Sequence, residues 1–237
     1  MLVYGNLIRL PHEEYAERLA RLPIPAFQEY GGPGVDESYD TAVSFFASFA
    51  DGPEIAVIPM VEVIDDEVRE RLEEVVGRGV AAVKFVHDLD LVEQPADVLE
   101  ADHEALLGRL ADAGVPAIIH LDLRRSEGWI RRVLRATPRL RLTIAHLGYS
   151  RARMSPILEE FPNVNADIAN LAPHMGAKPD SYRDFLDRHA GQVVFGSDAF
   201  LGDLSGIEAH AQVVHALGLS DEARDALLDR RAWFFSG

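Results

Sequence analysis

The sequence contains no cysteine and is poor in lysine, with only Lys84 and Lys178 among its 237 residues. The absence of cysteine excludes disulfides, thiolate metal sites and cysteine nucleophiles. No apolar run approaches the roughly 20 residues that a membrane-spanning helix needs. The first residues, MLVYGNLIRLPHEEY, also lack a basic segment followed by a long apolar one. No export signal is therefore predicted, and a cytoplasmic location is expected.

Positive charge is scarce as well. The chain has 23 lysine and arginine residues against 39 aspartate and glutamate residues, which gives a formal net charge of −16. A field of this sign repels nucleic acids and anionic membranes, so neither is expected as a partner. A small-molecule substrate is the expected partner, and a homo-oligomer is compatible with the sequence. With 48% hydrophobic and 26% charged residues, the composition is that of an ordinary globular protein.

Short apolar runs alternate with segments of helical periodicity along the chain. The runs predict eight strands, at residues 2–8, 24–30, 54–63, 80–87, 116–121, 140–147, 163–169 and 192–197. Helices are predicted at residues 11–22, 36–49, 65–79 and 95–113, from about 126, and at 150–161, 181–190, 205–217 and 220–231.

Several of these runs are continuously apolar, which is typical of parallel strands that are covered on both faces. Eight strands that alternate with helices predict an α/β fold, specifically one (β/α)8 TIM barrel over residues 1–237. An open doubly wound sheet is disfavoured, because no phosphate-binding glycine fingerprint follows the first strand.

Three of the predicted strands run into residues that bind metal or carry protons. VPAIIH ends on His120, LRLTIAH ends on His146, and QVVFGSD ends on Asp198. An isolated histidine is more often a surface or core residue than a ligand, but function in such barrels sits where the carboxyl ends of the strands meet. Imidazole and carboxylate groups together suit zinc, manganese or iron. The coincidence of three strand ends therefore predicts a site at the barrel mouth.

The segments VPAIIHL, LTIAHLG, NVNADIAN and VVFGSDAF, in this order and spacing, resemble strands five to eight of the amidohydrolase superfamily. They are most similar to its amidohydrolase-2 group of small metal-dependent hydrolases and decarboxylases. VAAVKF resembles that group's fourth strand, so the resemblance covers roughly residues 54–200.

The resemblance implies a divalent metal, with zinc expected, and a role for each of the three strand-end residues. It implies that His120 is a metal ligand from the fifth strand. His146 would be a second ligand or the general acid/base beside the metal. Asp198 would bind the metal and orient or deprotonate the attacking water, so His146 and Asp198 are the predicted catalytic residues. A bound divalent ion lowers the pKa of its water to roughly 7, which supplies hydroxide at neutral pH.

The first strand departs from the family pattern. Members of the family carry a His-x-His pair there, whereas Tyr4 and Asn6 stand at the matching positions of this chain. Three interpretations remain open. The metal is kept in a reduced shell, or hydrolysis proceeds without metal as in the superfamily's metal-independent lactonases, or the barrel has lost its original catalysis.

Four residues near the predicted mouth are candidates for substrate binding: Lys84, Arg124, Tyr149 and Arg151. Arginine binds carboxylates through a planar two-pronged contact, so a small carboxylate-bearing substrate is expected. Arg151 is the best of the arginines, because it directly follows AHLGYS. Each arginine is equally well explained as a solvated loop or helix residue. Lys84 would otherwise form a buried ion pair with Asp198 or Asp167.

The predicted function is hydrolysis of a lactone, amide or imide, or decarboxylation of a small carboxylated substrate, at the barrel mouth. One alternative is a metal-free lyase or aldolase that forms a Schiff base on Lys84. The other is a non-catalytic binding barrel derived from a hydrolase.

Overall fold

A computed structural model describes residues 2–6, through their backbone alone, and residues 56–61, 66–87, 96–198 and 205–229. The strand predicted at 24–30 and the helices predicted at 11–22 and 36–49 lie outside these residues. The chain divides into two compact units, Met1–Ala117 and Ile118–Gly237. That residues 1–237 form a single domain stays a prediction.

The first unit contains three parallel strands, which neighbour one another in chain order: β1 (Leu2–Asn6), β2 (Ala56–Val61) and β3 (Val83–His87). Its described helices are α1 (Asp66–Gly77) and α2 (Ala96–Ala113). Every residue of β3 is buried, as expected of a strand that is covered on both faces. The strands predicted at 2–8 and 54–63 are confirmed over Leu2–Asn6 and Ala56–Val61, and the strand predicted at 80–87 is confirmed but begins at Val83.

Two buried histidines meet inside the first unit. His87 ends β3 and His103 lies on α2, and they are only 1% and 0% exposed. Their Nδ1 atoms lie 2.7 Å apart, so one nitrogen donates a proton to the other and both rings are neutral. Burial lowers the pKa of His87 to about 4. Burial, and then the charge that His87 would carry, lowers the pKa of His103 to about 3.

This pair is expected to make the protein sensitive to acid. Both pKa values are lower in the folded chain than the value of about 6.5 for an unfolded histidine, so the unfolded state takes up protons first. The stability that the pair contributes is therefore fully present above about pH 6.5. It is lost as the pH falls towards the pKa values of the folded chain. Since one pKa unit corresponds to about 1.4 kcal/mol, protonation of the pair should lower the free energy of unfolding by several kcal/mol by pH 4.5.

Urea unfolding at pH 7 and pH 4.5 measures this loss. His103→Gln and the double variant His87→Gln/His103→Leu should lose several kcal/mol less between the two pH values than the wild type does. His215→Gln, at an exposed histidine, should behave like the wild type. An equal loss in all four proteins would show that the buried pair does not control the acid response.

The second unit holds the later strands in the order β4-β5-β6-β7. The strands are β4 (Ala117–Leu121, beginning at the unit boundary), β5 (Leu142–Ile144), β6 (Val164–Asp167) and β7 (Val193–Val194). The helices are α3 (Leu123–Ala136), α4 (Arg151–Glu160), α5 (Ala172–Ala177), α6 (Pro179–Arg188), α7 (Ser205–Ala216) and α8 (Asp221–Asp229). Parallel pairing aligns Leu142 with Val164 and Ala166 with Val193, so the carboxyl ends of β5, β6 and β7 lie at one edge.

Helix α3 begins at Leu123, earlier than the predicted start near residue 126. The reason is a cap, because the side chain of Asp122 accepts a hydrogen bond from the backbone N–H of Arg124 at 2.8 Å. The helix then buries one apolar face that includes Trp129, Ile130 and Val133. Helix α5 was not predicted, and the strand predicted at 192–197 is reduced to two residues. Within the described ranges, no helix combines the length and apolarity required to cross a bilayer.

Candidate active site

The strand predicted at 140–147 ends early, at Ile144, and this corrects the position predicted for His146. Residues Ala145–Tyr149 form a short 3-10 stretch instead. Four consecutive residues, His146–Tyr149, have positive φ, with values of 54°, 52°, 53° and 57°. We call these four residues the left-handed turn. Because this region costs an L-residue about 1–2 kcal/mol, a run of four persists only where its surroundings hold it in place.

A buried carboxylate holds the turn. Asp167, at the end of β6, is 6% exposed. Its Oδ1 accepts hydrogen bonds from the backbone N–H of His146 at 2.8 Å and from that of Ala169 at 3.1 Å. The left-handed turn is thereby tied to the carboxyl end of the next strand. From the sequence, Asp167 is predicted only as an alternative ion-pair partner of Lys84, with no role in the site. The sequence signal that could have identified Asp167 was a carboxylate within the largely apolar segment NVNADIA.

The ring of His146 is held by the segment that follows β6. The ring is buried, with Nδ1 2.8 Å from the carbonyl oxygen of Ala169. Because a carbonyl oxygen only accepts, Nδ1 carries the proton and donates it to this bond. Nε2 therefore holds the lone pair, which is the tautomer that a metal ligand or a general base requires.

His120 and Tyr149 lie beside this ring. The centroid of the His120 ring is 5.0 Å from that of His146, with the planes inclined by 74°. The Tyr149 hydroxyl lies 3.1 Å from Nε2 of His120, within hydrogen-bonding distance. The Tyr149 ring lies 5.5 Å from each histidine ring, and Tyr149 is 44% exposed. Two of the three predicted strand-end residues are therefore adjacent, together with a partly exposed phenol.

The third predicted residue, Asp198, does not complete a metal site. It is exposed and has φ 57°, four residues beyond the two-residue strand β7. Among the residues that the structure describes, no group of three histidine, aspartate or glutamate side chains is placed to hold a metal ion. The predicted set of His120, His146 and Asp198 is thus not assembled. A catalytic zinc site normally takes three protein ligands, so these residues do not fit one.

Arg124 and Lys84 occupy different surroundings. Arg124 forms a two-pronged pair with Asp122, with its Nε 2.9 Å from both carboxylate oxygens. Burial alone would raise the pKa of Asp122, but the hydrogen bonds from Arg124 hold that pKa below its ordinary value. Arg124 therefore stabilises the start of α3. Lys84 lies in the first unit, buried on β3 at 6% exposure, and its part in substrate binding stays a prediction.

His146 and Tyr149 line a cavity of about 600 Å³ in the second unit. Residues of α4, α5 and α6 form most of its wall, and Arg151 of α4 is among them. The guanidinium carbon of Arg151 lies 3.5 Å from the centroid of the Tyr182 ring, and Nη2 donates to Ser181 Oγ at 2.9 Å. Arg151 is therefore held in one position beside the two candidate catalytic side chains.

The fold is that of an α/β barrel of the (β/α)8 class, as the sequence predicts. The chain resembles the crystal structure of an uncharacterized TIM-barrel protein from Bordetella bronchiseptica, with a TM-score of 0.62 and 14% identity, over 96% of this chain and 95% of that one. It also resembles a provisionally named metal-dependent hydrolase from Lactobacillus casei, with a TM-score of 0.52 and 15% identity, over 81% of this chain and 67% of that one. At such identities the likeness establishes the fold alone.

The family is established by sequence. The model of the amidohydrolase-2 family matches residues 26–230, which is most of the chain, and the protein therefore belongs to the amidohydrolase family. This confirms the resemblance found in the strand motifs. No curated protein matches the chain significantly in sequence.

Proposed function

We propose that this protein hydrolyses a small carboxylate-bearing lactone, amide or imide, with His146 as the general base. The observation that carries the proposal is the Nδ1 hydrogen bond from His146 to the Ala169 carbonyl, which leaves Nε2 as a proton acceptor. Membership of the amidohydrolase family supports hydrolase or decarboxylase chemistry in general. The neighbouring pair of Tyr149 and His120 supports a reaction that needs both a base and a proton donor.

The proposed reaction begins with water, which attacks the substrate carbonyl while His146 Nε2 takes one of its protons. Negative charge then develops on the carbonyl oxygen. The Tyr149 hydroxyl, paired with His120, donates a hydrogen bond to that oxygen. As the tetrahedral intermediate collapses, the leaving oxygen or nitrogen receives the proton from His146. Water is consumed, and the products are an acid and an alcohol from a lactone, an amine from an amide, or an amide from an imide.

A base at His146 agrees better with the geometry than a base at Asp198. His146 is held by hydrogen bonds to its backbone and to its ring, whereas Asp198 is exposed. The divalent metal predicted as zinc has no step in the proposal, since the described donors do not fit a three-ligand site. Arg151 supplies the contact for the substrate carboxylate, because a fixed guanidinium binds a carboxylate through two parallel hydrogen bonds.

A substrate panel tests this proposal. It contains carboxylated lactones, amides and imides, the same compounds as methyl esters, and small carboxylic acids that can lose carbon dioxide. We expect saturable acid release from at least one carboxylated lactone, amide or imide, with its methyl ester turned over at least about tenfold more slowly. A folded protein that releases only carbon dioxide, or that turns over none of the compounds, would refute the proposal.

Tyr149→Phe should lower kcat by about a hundredfold, the usual effect of removing one donor to a developing oxyanion. KM should change little, since the ring and its contacts with both histidines are retained. Steady-state kinetics on the best substrate of the panel measures both values, and circular dichroism confirms the fold. If kcat is unchanged, the hydroxyl of Tyr149 has no part in the reaction.

A further inference from the structure

The cavity beside His146 has an unusual charge for this protein. Acidic residues outnumber basic ones by 39 to 23 in the whole chain. Among the described residues that line the cavity the balance is reversed, with Arg151, Lys178 and Arg188 against Asp184. Lys178 is also one of only two lysines in the sequence. A concentration of positive charge inside a strongly acidic protein favours an anionic ligand.

These three cations also differ from most of the other described basic residues in their partners. Ten described arginines form ion pairs with aspartate or glutamate: Arg69, Arg71, Arg78, Arg109, Arg124, Arg131, Arg135, Arg153, Arg183 and Arg224. Within the described part of the chain, no carboxylate lies in ion-pair distance of Arg151, Lys178 or Arg188. No described side chain therefore neutralises their charge, which stays available to an anionic ligand.

Arg151 is prepared for such a ligand. Stacking on the Tyr182 ring at 3.5 Å and the bond to Ser181 fix the guanidinium without neutralising it. A guanidinium has five N–H donors, and the bond to Ser181 uses one of them. Because the side chain is already ordered, binding loses little conformational entropy there.

We infer that this cavity binds a small organic dianion, with one anionic group on Arg151 and a second neutralised by Lys178 and Arg188. The volume of about 600 Å³ suits a small molecule. His146 and Tyr149 line the same cavity, so such a ligand reaches the proposed base. The inference rests on the proposed function in one respect, since it makes the substrate of that site a dianion. Dicarboxylates and phosphate esters share the required chemistry.

Isothermal titration with glutarate tests the site without any turnover. We expect saturable binding that weakens as salt is added, because the contacts are ionic. Arg151→Gln and the double variant Lys178→Gln/Arg188→Gln should each weaken binding roughly tenfold or more. Arg153→Gln is the matched control, since Arg153 lies on the same helix as Arg151 but is paired with Glu127, and neither residue lines the cavity.

Titrations with inorganic phosphate, butyrate and glutaramide test which charges the ligand must carry. Inorganic phosphate that binds more tightly than glutarate, with the same dependence on Arg151, would support the site and identify a phosphate ester as its ligand. Butyrate should bind at least about tenfold more weakly than glutarate, because it lacks the second charge. The inference is overturned if neutral glutaramide binds as well as glutarate. It is also overturned if neither glutarate nor phosphate binds saturably, or if the cavity variants bind like the wild type.

The dianion site and the proposed hydrolysis can fail independently. Binding without hydrolysis of any compound in the panel would leave the dianion site standing and remove the proposed function. Hydrolysis without binding of glutarate or phosphate would leave the proposed function standing and remove the dianion site.

Discussion

Replacing His146 by asparagine is expected to lower kcat by roughly 10²–10⁴-fold, the contribution that a positioned general base usually makes. Asparagine is among the residues that best tolerate left-handed backbone, so the variant removes the base without adding strain at φ 54°. KM should stay close to the wild-type value, because substrate affinity in this account comes from Arg151 and the other cations of the cavity.

Steady-state kinetics on the best substrate of the panel checks this expectation. His215→Asn is the matched control, since His215 is an exposed histidine of α7 that does not line the cavity. Unfolding curves for both variants separate lost chemistry from lost structure. If folded His146→Asn keeps kcat within about twofold of the wild type, another residue is the base.

The second large effect is expected at Gly148, within the left-handed turn. Gly148 has φ 53°, and a Cβ atom there would lie 2.4 Å from Cγ and 2.6 Å from Cδ1 of Leu123. Leu123 is fully buried, so it has little room to move. Left-handed strain of about 1–2 kcal/mol and overpacking of about 1–3 kcal/mol together predict that Gly148→Ala loses about 2–5 kcal/mol of unfolding free energy.

Urea unfolding of Gly148→Ala and Gly128→Ala measures this difference. Gly128 lies in α3, and its Cβ would meet nothing within 4 Å. Its replacement by alanine should therefore gain about 0.5–1 kcal/mol through helix propensity. Equal stability of the two variants would show that the left-handed turn is not held as tightly as its contacts indicate.

The fold was accessible from sequence because burial leaves a simple pattern. A strand that is covered on both faces must be apolar throughout, and β3 and β4 coincide with such runs to within a few residues. The same rule failed at residues 140–147, where the apolar pattern continues while the backbone turns left-handed. Hydrophobicity carries no information on the sign of φ, and Gly148 was the single hint in the sequence.

Only part of the site could be predicted from the sequence. Motif order placed His120 and His146 near one another, because neighbouring parallel strands end at the same edge. Whether Asp198 joins them depends on the backbone after β7, which motif order does not specify. Arg151 was preferred to Arg124 only because it follows AHLGYS, whereas in the structure Asp122 pairs with Arg124 and an aromatic ring holds Arg151. No role was predicted for Lys178 or Arg188, which the structure places in the wall of a cavity formed mostly by α4, α5 and α6.

Hydrolysis in ¹⁸O-labelled water tests directly whether water activated by His146 attacks the substrate. One turnover of a carboxylated lactone, amide or imide should place a single ¹⁸O atom from water in the product carboxylate, at the enzymatic rate. Folded His146→Asn should form this labelled product no faster than about a hundredth of the wild-type rate. The account would be contradicted if the wild type formed unlabelled product. It would also be contradicted if borohydride trapped the substrate on Lys84, because the reaction would then proceed through an amine and not through activated water.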